Sequence, residues 1–138
     1  MTKFSAKDAV ITIDNAAGSP QTVSTDIVSY EIQEDAGAVA VTGFGDGSEN
    51  KIPGMPIVGL TFEFLYDTAT TSGATTILRG ILNSSTSKTV TIKPESAGQT
   101  LTGEYMLDGL NTNATPNSEI KHGSCHFSVM GSTKPTWG

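Results

Sequence analysis

Cysteine is nearly absent: Cys125 is the only one, so no internal disulfide can form, and a lone thiol points to synthesis in a reducing compartment. No stretch approaches the roughly twenty apolar residues of a membrane-spanning helix. The segment from Met1 to Asp8 has no apolar run of signal-peptide length, so the expectation is a soluble protein made in a cytoplasm. Basic residues are few, 8 Lys and Arg against 14 Asp and Glu, giving a net charge of −6, and the lysines are scattered. That argues against a face built to grip nucleic acid. Tryptophan occurs once, at position 137, and aromatics make up only 7% of the chain, which disfavours a carbohydrate-binding face of exposed rings.

What is plentiful is Thr and Ser, roughly a quarter of the chain, and Thr with Val and Ile favours strands. A chain of 138 residues is read as one domain over 1–138, large enough to fold without disulfides or metal. Ala9–Asp14 reads as a first strand, followed by the turn-forming run Asn15–Pro20. Thr22–Glu34 reads as one long strand. Val28, Tyr30 and Ile32 fall on one face and Ser29, Glu31, Gln33 and Asp35 on the other, because successive side chains alternate. Gly37 then turns the chain into a short strand over 38–42.

Ile57–Asp67 has the clearest alternation, with Val58, Leu60, Phe62, Phe64 and Tyr66 opposite Gly59, Thr61 and Glu63. It is expected to be the central core strand. Gly73–Asn83 spaces Ala74, Ile77, Leu78, Ile81 and Leu82 at three and four residues, which predicts a short amphipathic helix with Thr71 or Ser72 as N-cap and Asn83 as terminator. Further strands are predicted over Lys88–Lys93, Leu101–Leu110 and His122–Met130, the last burying Cys125, Phe127 and Val129. The tail Gly131–Gly138 has no pattern, and its Trp137 reads first as frayed and second as an interface anchor.

The stretch that does not fit a plain domain is Gly43–Met55, glycine-rich, acidic and too long for a tight turn. It carries Phe44, Ile52 and Met55, apolar side chains without a local surface to cover them. A projecting loop, mobile in the free monomer and docking on a second copy, is the reading. Phe44, Asp46, Glu49, Ile52, Pro53, Met55 and Trp137 are the candidate inter-subunit contacts.

No catalytic constellation emerges. His122, Cys125 and His126 have metal-ligand chemistry, but on a strand Cys125 points away from both histidines, so a buried Cys with two surface His is the simpler account. Gly43, Gly45 and Gly47 are not followed by a helix, as a dinucleotide fingerprint requires. Asp46, Glu49 and Asn50 lack the calcium-loop spacing. The chain is therefore read as a non-enzyme with no cofactor and no metal.

Ser24–Glu34, Thr42–Asp46, Ile52–Met55, Leu60–Asp67, the following helix and the terminal Phe127–Gly131 resemble, in element order, the major tail tube proteins of long-tailed bacteriophages and related phage-like particles. The resemblance implies a mainly β, antiparallel sandwich or barrel-like domain with one flanking helix and a long loop that crosses to the next subunit or ring. It implies six copies in a ring, rings stacked into a tube, and DNA passing through the lumen without specific binding. The implied partners are further copies, the tape measure, the tail terminator and distal tail proteins, without direct membrane insertion. The implied location is the virion tail, reached by assembly in the host cytoplasm. An acidic wall repels the phosphate backbone and lets DNA slide, so Ser29, Glu31, Gln33, Asp35, Thr61 and Glu63 are the candidate lumen residues. The alternative is a β-sandwich ligand-binding module using loops 43–55 and 111–118.

Overall fold

The computed structural model describes residues 8–138 except 46, 68, 70–72, 96–97, 114–121 and 132. The strands are β1 (Val10–Asp14), β2 (Pro20–Thr22), β3 (Ile27–Asp35), β4 (Val39–Ala40), β5 (Lys51–Ile52), β6 (Ile57–Leu65), β7 (Lys88–Lys93), β8 (Leu101–Asn113), β9 (His122–Val129) and β10 (Thr136–Trp137). One helix, α1 (Ala74–Ile81), lies between β6 and β7. Eight strands form one antiparallel sheet in the order β2-β1-β7-β8-β9-β6-β3, with β10 added to β8, while β4 and β5 pair separately.

Both ends of this sheet feed one core. Ile11 and Ile13 of β1 and Val90 and Ile92 of β7 are buried in the same cluster as Leu60, Phe62 and Phe64 of β6. The sheet therefore bends over itself like a sandwich, and it does not close, since no pairing joins β2 to β3 among the described residues. Phe127 sits edge-on to Phe62 at 5.7 Å and to Tyr105 at 6.5 Å, the arrangement that ring quadrupoles favour. Each fully buried apolar side chain of this size contributes about 1.5–3 kcal/mol relative to exposure.

Helix α1 packs against β8 and β6. Ala74, Ile77, Leu78 and Ile81 are buried on one stripe, as the spacing predicts, whereas Leu82 lies just past the helix end and is exposed. Asn83 takes the left-handed conformation at φ 59° that ends the helix. Thr71 and Ser72 lie outside the described residues. Gly73 occupies the N-cap position without a side-chain cap, and the Oδ2 of Asp26 accepts the Ala74 N–H at 3.1 Å instead. A carboxylate from 48 residues away thus does the capping.

Four sequence expectations are corrected. The strand expected over Thr22–Glu34 is two: β2 forms a hairpin with β1, and a turn at Ser24–Asp26 precedes β3. The Ser24 hydroxyl oxygen accepts the Ile11 N–H at 2.8 Å and fixes that turn. Val28 does not share a face with Tyr30 and Ile32, because a bulge between Ile27 and Ser29 turns it outwards. Strand β6 is as buried as expected but is penultimate rather than central, with only β3 beyond it, and it ends before Tyr66. The tail is not frayed: Trp137 pairs with Leu101, and Thr100 and Gly138 exchange two backbone hydrogen bonds at 2.8 and 3.0 Å.

Candidate assembly surfaces

Two surfaces stand out among the described residues, a polar sheet face and a projecting arm. The face is built from β3, β6, β9 and the second half of β8. Ser29 stands opposite Glu63, and Glu31 opposite Thr61, on the β3–β6 ladder. Ser124 continues the first row and His126 the second on β9. The Ser29 hydroxyl donates to Glu63 at 3.2 Å, and the Gln33 amide donates to Asp35 at 2.8 Å. All six lumen candidates, Ser29, Glu31, Gln33, Asp35, Thr61 and Glu63, therefore fall on one side of two adjacent strands, away from the core. These four strands carry Glu31, Glu34, Asp35, Glu63, Glu104 and Asp108 and no Lys or Arg.

Sequence reasoning missed the strongest polar cluster on this face. A second bulge, between Leu107 and Gly109, brings Asp108 beside β9. Its Oδ1 lies 2.7 Å from the Nδ1 of His126, and its Oδ2 accepts the Ser128 hydroxyl at 2.5 Å. Partial burial pushes the Asp108 carboxyl up, but the hydrogen bonds from Ser128 and His126 outweigh it and hold it below the usual range. The alternation of β8 and β9 assigns these residues to the outer face, but neither pattern shows that the strands are neighbours or that a bulge aligns them. Ser128 donates to Asp108 rather than to His126, so the trio is not a nucleophile and its base.

Cys125 points into the core, where burial pushes its thiol up to about 12, while His126 lies on the outer face, as strand alternation requires. The side chain of His122 lies outside the described residues, and among those described no cluster of three metal-ligating side chains occurs.

The Gly43–Met55 stretch is a projecting loop whose base is held by a short two-stranded ladder, so that 37–55 forms an arm; within 43–55 only Lys51–Ile52 is strand. Val39 pairs with Ile52 and Ala40 with Lys51. The Asn50 N–H donates to the Thr42 hydroxyl oxygen at 2.7 Å, and the Val41 N–H donates to the Asn50 carbonyl at 2.9 Å. At the arm's base a Cβ on Gly37 would lie 2.1 Å from the Met55 carbonyl oxygen, and one on Gly54 would lie 2.2 Å from that of Gly37. Only glycine lets the two backbones cross there. Phe44 is 112% exposed and Met55 86%, with Val39, Ile52 and Ile57 also open. Pro53 and Glu49 are exposed as well, and Glu49 makes only a loose surface pair with Lys51 at 3.7 Å. Asp46 lies outside the described residues, as do residues 114–118 of the other expected loop, whose first part belongs to β8. Trp137, in β10, is 37% exposed.

Two cavities border these surfaces. An open groove of about 780 Å³ runs along β3 and the start of β1, lined by Ile11, Ser24, Ile27, Val28 and Tyr30 among others. A smaller cleft of about 290 Å³ lies at the arm's base, lined by Met55, Pro56, Val58, Val129, Lys134 and Pro135 with neighbouring backbone.

No protein-family model matches the chain, and no curated protein matches it either. Solved structures do. The tail of an empty gene transfer agent particle, refined with C6 symmetry, aligns at a TM-score of 0.78 and 16% identity over 99% of each chain. A sheath and tube terminator structure of an extracellular contractile injection system gives 0.70 at 13% identity, over 100% of this chain and 98% of the other. The SPP1 tail tube gives 0.73 at 7% identity, over 98% of this chain and 78% of that one. An antiparallel sheet bent around one core, closed off by a single short helix and carrying a long arm, the chain has the tail tube fold.

Proposed function

We propose that the protein is a structural subunit of a tail tube, six copies forming a ring and rings stacking into a conduit for DNA. The observation that carries this reading is the four-stranded face: acidic, without Lys or Arg, and bounded by two strand edges that have no partner among the described residues. One edge is the outer side of β3. The other is β8 beyond Leu107, because β7 pairs with β8 only from Leu101 to Tyr105. Free edges recruit strands, and a closed circle of such sheets removes them all. The like fold of a C6-symmetric particle tail supports six as the ring number.

In the ring the face lines the lumen, with Ser29, Glu31, Gln33, Asp35, Thr61 and Glu63 on its wall beside Ser124, His126 and Asp108. Acidic walls repel phosphates and avoid the counterion release that makes basic channels adhesive, so DNA slides. The arm, with Phe44, Asp46, Glu49, Ile52, Pro53 and Met55, contacts the neighbouring ring, and Trp137 lies at a subunit contact. The chain works as a single unit without bond chemistry, in the virion tail after assembly in the host cytoplasm. It meets the tape measure inside, the tail terminator at one end and distal tail proteins at the other.

Negative-stain electron microscopy of the purified protein across a concentration series tests the reading. Hollow rings or stacked tubes are expected. Monomers at every concentration, with or without a seeding tail tip, would reject it.

A further inference from the structure

Resting on the tube reading, we infer that the arm is a knob-and-hole device: the Phe44 ring of one copy seats in the cleft at the arm base of a second copy. The knob is the most exposed large apolar side chain among those described, at the end of a paired ribbon. The hole has apolar walls from Met55, Pro56, Val58, Val129 and Pro135, and its volume of about 290 Å³ exceeds the ~150 Å³ that accommodates a benzene ring in a protein interior. Charge agrees with shape. Residues 43–51 carry Asp46 and Glu49 against one base, Lys51, which lies 3.7 Å from Glu49, and Lys134 stands at the cleft.

Direction follows from where the two parts sit. Knob and hole lie at opposite ends of the same arm, so a copy that fills its neighbour's hole leaves its own hole open for the next. A heterologous contact of this kind repeats along an axis and does not close. Sheet edges make the ring and the arm makes the stack, so the two contacts are separable. The seven steps along the chain from Gly37 to Phe44 reach at most roughly 25 Å, which bounds the separation between successive arm bases.

Oxidative cross-linking in the assembled protein decides the matter. In Phe44→Cys with Thr133→Cys, one thiol replaces the knob and the other sits on an exposed residue of the cleft wall; native Cys125 is buried and does not compete. A ladder of dimers, trimers and higher species is expected. A control pairing Phe44→Cys with Ala17→Cys, in an exposed turn remote in sequence from the arm, should give none. Phe44→Ala should leave rings intact while raising the concentration needed for tubes by at least about tenfold. Tubes that form without a ladder would overturn the knob-and-hole contact and leave the conduit reading standing. A single intramolecular disulfide would show the arm seated on its own cleft and also overturn it. Failure of the unsubstituted protein to form any ring or tube would remove both.

Discussion

At the level of single residues, one buried hydroxyl and one partly buried carboxyl sit in unfavourable surroundings, and each is testable. The hydroxyl of Tyr105 is buried with no hydrogen-bond partner among the described residues, and burial pushes it up to about 12. Leaving such a group unsatisfied costs about 1–3 kcal/mol, so Tyr105→Phe should be neutral or stabilising by about 1 kcal/mol in denaturant unfolding. Asp26 is the second case. Desolvation raises its pKa, the Ala74 N–H lowers it, and Asp67 raises it again, with a net upward shift. A carboxyl whose folded pKa is raised binds protons more tightly when folded, so its native-state penalty is absent at low pH and grows as pH rises through the raised value. Asp26→Asn keeps an oxygen for the Ala74 N–H and should flatten this pH dependence above the ordinary carboxylate range. Asp26→Ala loses the cap and should cost about 1 kcal/mol at low pH, and less once the pH exceeds the raised value, because the charged-form penalty is removed with the side chain. Equal pH profiles for wild type and Asp26→Asn would reject the assignment.

Among the elements, the helix and the arm make opposite demands on glycine. Gly80 lies inside α1, where a Cβ would meet that of Ala16 at 3.6 Å, an ordinary contact. Gly80→Ala should therefore stabilise the protein by about 0.5–1 kcal/mol, read as a shift in denaturant midpoint. Gly37 and Gly54 have no such room, since a Cβ at either would strike backbone. Gly37→Ala or Gly54→Ala should force the base of the arm apart. The expected outcome is loss of stacking by microscopy, with the circular-dichroism melt of the core little changed. Amide exchange over 43–50 should be fast in the monomer and slow in the tube, because the tip's apolar residues have no cover of their own. Wild-type stacking in both alanine variants, or protection of the tip in a verified monomer, would contradict this account.

For the whole molecule, charge is the testable property. The lumen reading requires that DNA find no fixed cation on the wall. Glu31→Lys with Glu63→Lys places two bases per copy on that face, both at exposed positions away from the core. Tubes of this variant should retain duplex DNA in a salt-dependent way, while wild-type tubes should not. Equal retention by both would place this face on the outside of the assembly.

The sequence by itself determined the helix, the longer strands and most of their facing. Period-two alternation is a local property of a strand half-buried on one side, so Leu60, Phe62 and Phe64 were legible as core and Glu31 and Glu63 as solvent-facing. The stripe at 74–81 was legible for the same reason at the helical period. Only the tertiary structure decided which strands are neighbours, because pairing joins residues far apart in the chain and leaves no periodic trace. It put β9 between β6 and β8, moved β6 from the centre to next to last, and docked Trp137 on β8. It also turned Val28 out at a bulge, held the 43–55 loop in an arm whose backbones cross at Gly37 and Gly54, and joined Asp108 to His126 and Ser128. Those features arise from register and close approach between distant backbones, which alternation along one strand does not encode.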